Sequence, residues 1–224
     1  MTHHTATPRV VPSPSPRMIG EIDGAVGWLT VNHPERRNAV SLDMWSAMAD
    51  IIDAFERDPA VRVVVIKGAG DKAFISGADI SEFEQNRATQ DQASHYGDVA
   101  ATAAARLQGL SKPSIAMIRG YCIGGGVAVA LGCDLRIAAD TARFGVPAAR
   151  IGISYSWRDI KKLMDLVGPA FAREIFYTGR QFTAVGVRIG DRAWRIQIRR
   201  KCIGRRVINR MREGVRGQRL KPLR

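Results

Sequence analysis

The chain has 224 residues, 46% of them hydrophobic, which is enough for one domain with a proper core and holds no apolar run long enough to span a bilayer. Three cysteines, Cys122, Cys133 and Cys202, lack metal-ligand spacing and the start lacks a signal-like apolar run, so a reduced, cytoplasmic protein without disulfides or metal is predicted. The net charge is +13, of which +12 lies in residues 185–224, where 14 Lys or Arg face only Asp191 and Glu213; any affinity for nucleic acid is confined to that basic tail.

Residues 1–17 carry Pro8, Pro12, Pro14 and Pro16 and little that builds a core, and are expected to be a disordered leader. Two short strands, 18–23 and 26–32, flank Gly24 as a hairpin. A basic turn, His33-Pro34-Glu35-Arg36-Arg37-Asn38-Ala39, follows. Ser41 is a good N-cap for a helix whose Met44, Trp45, Met48, Ile51, Ile52 and Phe55 recur on one face, a core pattern, and Asp58-Pro59 ends it. Residues 61–67 read as a buried strand. The polar-glycine turn after it, Lys72 through Ile80, lies at that strand's C-terminal end, where sheets with helical crossovers tend to place their sites. Residues 83–88 are polar and fit a flap, and a helix over 89–110 carries Tyr96, Val99, Ala103, Leu107 and Leu110 at helical spacing.

The centre of the chain is Ser114 to Gly132: an apolar strand, a turn at Gly124-Gly125-Gly126, and a buried helix. Three glycines strip every side chain from the turn, at an entropic cost. A bare helix start offers unpaired N–H groups and partial positive charge to a developing anion. The alternative is close packing of a helix on a sheet. Another short strand over 134–139, a helix near 159–167 and a further helix through Tyr177 complete a repeated strand–strand–helix pattern, which by periodicity alone is α/β.

Several segments together resemble the crotonase superfamily, the enoyl-CoA hydratase/isomerase family. They are Ala73-Phe74-x-x-Gly77-Ala78-Asp79, Gly120-Tyr121-x-x-Gly124-Gly125-Gly126, Cys133-Asp134-x-x-x-Ala138, Phe144-Gly145-x-Pro147 and the turn Thr178 to Ala184. The resemblance covers roughly residues 18–184 and implies a crotonase-like spiral. It implies an acyl-CoA substrate whose coenzyme A is part of that substrate, with no separate cofactor. By the same resemblance Ala78 and Gly125 donate their N–H groups to the thioester oxygen as an oxyanion hole. Arg36, Asn38, Ala39, Ser76, Gly77, Asp79, Ile80 and Gly124 then fall in the substrate-binding segments, with Arg36 or Arg37 beside the coenzyme A phosphates. Asp79 also reads as a turn-stabilising carboxylate, and Arg158 and Asp159 as helix-capping charges near the pocket rim.

The family's hydratases use two glutamates, at the positions that correspond to Ala128 and Ala148, and neither alanine transfers a proton. Three activities therefore compete: a family enzyme of altered chemistry, a methylmalonyl-CoA-decarboxylase-like enzyme, or an inactive acyl-CoA or tail-borne nucleic-acid binder. The second rests on Ile151-Gly-Ile-Ser-Tyr155, which resembles a segment of those decarboxylases in which a tyrosine contacts the carboxylate; they have His where Ala78 stands. Tyr155 also reads, and more readily, as a packed aromatic with a satisfied hydroxyl.

After Ala184 the family continues with Glu-Ala, then Gly-Leu-Val, then helices that join trimers or hexamers. Here the text becomes Arg-rich instead, which puts that assembly in question. An out-of-frame reading of GC-rich DNA gives such text; an evolved basic arm is the rival. Translation of the coding DNA in its other frames is expected to give the Glu-Ala…Gly-Leu-Val continuation, and its absence from every frame rejects the frameshift.

Overall fold

The computed structural model describes residues 7–82, 89–153, 155–184 and, for the backbone, 196–199. Its strands are β1 (Arg9–Val11), β2 (Met18–Asp23), β3 (Val26–Val31), β4 (Val63–Gly68), β5 (Ala73–Ile75), β6 (Ser114–Ile118), β7 (Tyr121–Ile123), β8 (Leu135–Ala139), β9 (Arg143–Gly145), β10 (Phe182–Thr183) and β11 (Ile196–Arg199). Its α-helices are α1 (Leu42–Arg57), α2 (Gln90–Gln108), α3 (Gly125–Gly132), α4 (Ala148–Ile151), α5 (Trp157–Val167) and α6 (Pro169–Thr178).

Three successive units, β4-β5-α2, β6-β7-α3 and β8-β9-α4, repeat one pattern. The first strand of each joins a large sheet of order β1-β2-β3-β4-β6-β8-β11, and the second joins a small sheet of order β10-β9-β7-β5. The chain thus steps between two sheets once per unit and closes each step with a helix. From β3 to β11 the large sheet is parallel, and β5, β7 and β9 are parallel too, as such crossovers require. This is the expected α/β crotonase-like spiral.

The core lies between the sheets and helices. Phe55, Met44, Met48, Ile51 and Ile52 from α1 are buried against Leu29, Ile66, Phe74 and Ile118. These are the residues whose 3.6-residue spacing identified α1. Trp45 also faces inward, where its indole N–H donates to the Tyr96 hydroxyl at 2.8 Å. A smaller apolar cluster, Val26, Val65, Ile115 and Ile137, covers part of the other face of the large sheet.

Residues 1–6 of the expected leader lie outside the described residues, and residues 7–17 differ from expectation. Arg9–Val11 is an edge strand paired antiparallel with β2, and Ser15 is fully buried. The prolines flank the strand rather than interrupt it, and Arg9 forms an ion pair with Asp58. Likewise β11 lies within the basic tail, where no strand was foreseen, and pairs in parallel with β8. Residues 83–88, expected as a flap, and the rest of the tail lie outside the described residues.

Asn38 ties the loop after β3 to the body. Its side chain is fully buried; Oδ1 accepts from the His33 amide at 3.0 Å, and Nδ2 donates to the carbonyls of Ala69 and Ala73 at 3.0 and 2.7 Å. Its φ of 57° is a left-handed value that asparagine tolerates better than most side chains. Asn38→Ala is expected to lower the unfolding free energy by about 3 kcal/mol, because three partners lose their bonds at once. Urea unfolding measures it, and a loss below about 1 kcal/mol rejects the pinning role.

Candidate functional site

The turns after β5 and β7 meet, because these strands are parallel neighbours and both end at the same side of the small sheet. A register irregularity between Ala73 and Ile75 releases β5 from β7, and Gly77, at φ 115°, turns the chain. Beyond it the segment bridges Val40: the Val40 amide donates to the Gly77 carbonyl at 2.9 Å, and the Asp79 amide donates to the Val40 carbonyl at 3.0 Å. Extended backbone alternates its polar groups between its two sides. The Ala78 N–H therefore faces away from Val40, toward the second turn.

That second turn divides its demands among three glycines. Gly124 takes φ 53° and ψ −114° as the residue preceding α3, and its amide donates to the Gly145 carbonyl at 2.9 Å. Gly126 packs: a Cβ there would sit 2.2 Å from the Ile75 carbonyl oxygen. Gly125 is the first residue of α3, and a Cβ on it would stand 3.9 Å from the Ala78 amide nitrogen. Packing and the bare helix start are both present in the triplet, at different residues. Among the described residues, nothing accepts a hydrogen bond from the amide of Ala78 or of Gly125. Two free donors thus lie side by side, one of them at the positive end of a helix.

Both face a cavity of about 480 Å³. Helix α3 contributes Gly125, Ala128, Val129 and Gly132, one face at helical spacing, and α2 contributes Gly97, Ala100, Ala101 and Ala104. Small side chains on both helices leave the slot between them open. Ala148 stands on the wall, and Ile80, 65% exposed, with Ile151 and Ile153, forms apolar surface at the mouth. Along α2 the small residues from Gly97 to Ala104 are plain in the sequence, but the apolar spacing through Tyr96 marks only the core face, not the cavity wall.

Tyr155 holds the glycine turn from below. Its hydroxyl donates to the Gly124 carbonyl at 2.9 Å, and its ring meets Phe176 edge-on at 5.2 Å. Burial, then the charge of Asp159, pushes its phenol well above the ordinary range. It is a packed aromatic with a satisfied hydroxyl, and its place is on the cavity wall.

The remaining expected residues separate. Ser76 and Gly77 line the cavity, and the Ser76 hydroxyl donates to the Arg36 carbonyl at 3.4 Å. Arg36 is exposed, while Arg37 lies over the Tyr121 ring. Asn38, expected at the substrate, is instead enclosed with every polar atom bonded to protein, so its side chain positions the loop. Ala39 is buried beside it, its carbonyl 3.1 Å from His33 Nδ1. Asp79 accepts from the Ser81 amide and hydroxyl at 3.0 and 2.7 Å. Burial pushes its pKa up, but those two bonds, with the charges of Arg36 and His33, leave it below the ordinary carboxylate value. It stabilises the turn. Asp159 caps no backbone amide among the described residues; its carboxylate sits 3.2 Å from Lys162 Nζ, and both side chains line the cavity with Arg158. It stands in the first turn of α5, where its negative charge meets the helix's positive end, as expected of a capping charge near the pocket rim.

Among the described residues there is no group of three His, Cys, Asp or Glu suited to a metal and no helix long and apolar enough to cross a membrane. The buried thiols of Cys122 and Cys133 are pushed up by burial, Cys133 to about 12.

Comparison with known proteins agrees with the fold and places it. The chain is 34% identical over 186 residues to a short-chain-enoyl-CoA hydratase of Clostridium acetobutylicum, covering 83% of this chain and 68% of the relative. It is 35% identical over 175 residues to a crotonyl-CoA hydratase of Syntrophomonas wolfei, covering 78% and 64%. The chain thus spans about two thirds of the length of these curated relatives. A crystal structure of an enoyl-CoA hydratase/carnithine racemase from Magnetospirillum magneticum superimposes with a TM-score of 0.84 at 32% identity, over 92% of this chain and 76% of the other. The family described as enoyl-CoA hydratase/isomerase matches residues 21–188, and the chain belongs to that family, within the crotonase superfamily.

Proposed function

We propose that this protein binds an acyl-CoA thioester and polarises its carbonyl between the amides of Ala78 and Gly125, using the carbonyl-gripping half of the family's chemistry without its two-glutamate hydration. The observation that carries this is the pair of amides at one cavity that have no acceptor among the described residues. Two preorganised donors aimed at a developing oxyanion lower the cost of forming an enolate. The apolar slot between α2 and α3 suits the acyl chain. Arg36, exposed near the mouth by its contact with Ser76, is available to a phosphate of the coenzyme A portion.

Hydration of an enoyl thioester needs water deprotonated and carbon protonated by groups in place. In this reading the family's glutamate positions fall to Ala128 and Ala148, and both alanines line the cavity. The decarboxylase reading is less well supported, since the Tyr155 hydroxyl is already bonded to the Gly124 carbonyl.

Titration with acetoacetyl-CoA is expected to give heat of binding, and Gly125→Pro to abolish it. Proline removes the donor while suiting the first position of a helix. A folded Gly125→Pro protein with unchanged affinity sinks the carbonyl clamp.

Crotonyl-CoA hydration is expected to be slower than that of a two-glutamate hydratase by about 10²–10⁴-fold for each absent group. Loss of the conjugated-thioester absorbance reports it. A rate equal to that of such a hydratase rejects the account of Ala128 and Ala148.

A further inference from the structure

The two donors of the site belong to separate turns: Ala78 follows β5, and Gly125 opens α3. Among the described residues no backbone hydrogen bond joins 76–80 to 124–127, so the spacing of the two amides is set by other contacts. That spacing matters. Two N–H groups share one oxygen only if both come within about 2.7–3.1 Å of the same point. A displacement of ~1 Å in either turn is enough to spoil such an arrangement.

One chain of contacts crosses from one donor to the other. A Cβ on Gly125 would lie 3.4 Å from Trp45 Cζ2 and 3.7 Å from Cη2, so the indole ring stands against the bare backbone of that glycine. The same ring donates from Nε1 to the Tyr96 hydroxyl at 2.8 Å, and that hydroxyl donates to the Val40 carbonyl at 3.2 Å. The Val40 carbonyl also accepts from the Asp79 amide, and the Val40 amide donates to the Gly77 carbonyl, so Ala78 is held from both sides. Trp45 and Tyr96 are both buried, and both line the cavity. Packing alone would be met by phenylalanine at either position. The two polar tips are directed instead at each other and at Val40.

We propose that Trp45 and Tyr96 are positioning residues that act as one spacer, setting the gap between the Ala78 and Gly125 amides so that both reach a single thioester oxygen. This rests on the acyl-CoA reading above. The spacer works differently at its two ends. At Gly125 it is van der Waals contact with a rigid ring, which limits how closely the glycine turn can approach. At Ala78 it is a hydrogen bond, which fixes Val40 and through it the direction of the N–H. Neither side chain supplies a bond to the oxygen, and neither transfers a proton. Loosening either end leaves both donors in place but no longer aimed at one point. The loss then falls on ligands that carry a carbonyl, not on every ligand of the cavity.

The test uses the full chain with Tyr96→Phe, Trp45→Phe and the double variant, each checked for folding by circular dichroism and each titrated with two ligands. Acetoacetyl-CoA has a thioester carbonyl; the thioether S-butyl-CoA has the same coenzyme A portion and no carbonyl. Wild type is expected to prefer acetoacetyl-CoA. In Tyr96→Phe, which keeps the buried ring, that preference is expected to fall about tenfold, roughly the worth of one hydrogen bond, while the thioether binds within about twofold of wild type. Trp45→Phe is expected to act likewise, and the double variant to lose no more than either single one, because the two side chains act in series. Either single variant decides alone if the other fails to fold. A folded variant with undiminished preference overturns the spacer and leaves the acyl-CoA reading standing. So does equal weakening of both ligands, which is what a merely structural role gives, and so do additive losses in the double variant. A wild type that binds the two ligands alike overturns the carbonyl clamp and this proposal together, and a folded wild type that binds neither overturns the acyl-CoA reading itself.

Discussion

Everything about this site follows from two backbone amides that find no acceptor among the described residues. A polar group denied a partner in a dry interior costs about 1–3 kcal/mol, and proteins avoid the situation almost everywhere. Here two such amides sit side by side at an open cavity, where water or a ligand oxygen can reach them. The rest of the local structure holds them there. Val40 takes the groups on either side of Ala78 and so dictates which way its N–H points. Tyr96 ties Val40 in turn, donating to its carbonyl at 3.2 Å while accepting from Trp45. On the other turn, Gly145 and Tyr155 grip the amide and the carbonyl of Gly124.

These supports reach across the whole molecule. Trp45 comes from the first helix, Tyr96 from the second, and Tyr155 from the loop before α5. Each of these side chains contributes both apolar area to the core and one polar tip to the site, which is the use to which buried tyrosine and tryptophan are suited. Core packing and site geometry are therefore not separable here. A substitution at Trp45 would disturb the core and release Tyr96 from its partner, and with it the segment that aims Ala78.

The sequence carried the repeated strand–strand–helix plan and the two glycine turns, because both depend on local signals: hydrophobic period, and residues that only a special backbone demands. It carried α1 almost to the residue for the same reason. Asn38 misled, since its loop is close to the site in sequence while its three bonds run to residues 33, 69 and 73, which no pattern within the loop announces. Asp159 was legible in part: a carboxylate in a helix's first turn reads as a capping charge near the pocket rim, and the fold of α5 beside α3 puts it on the cavity wall. The strand Arg9–Val11 was hidden by prolines on either side of a run too short to show alternation.

The large sheet ends on one side at β1 and on the other at β11. Both come from stretches that read as lying outside the domain proper. An open sheet border offers a row of unpaired peptide groups to any passing chain. With β1 in place β2 is an interior strand, and with β11 in place so is β8. Strands β1 and β11 therefore act as selvedges on a cloth: trimming either one would leave a raw margin along which two molecules could knit together.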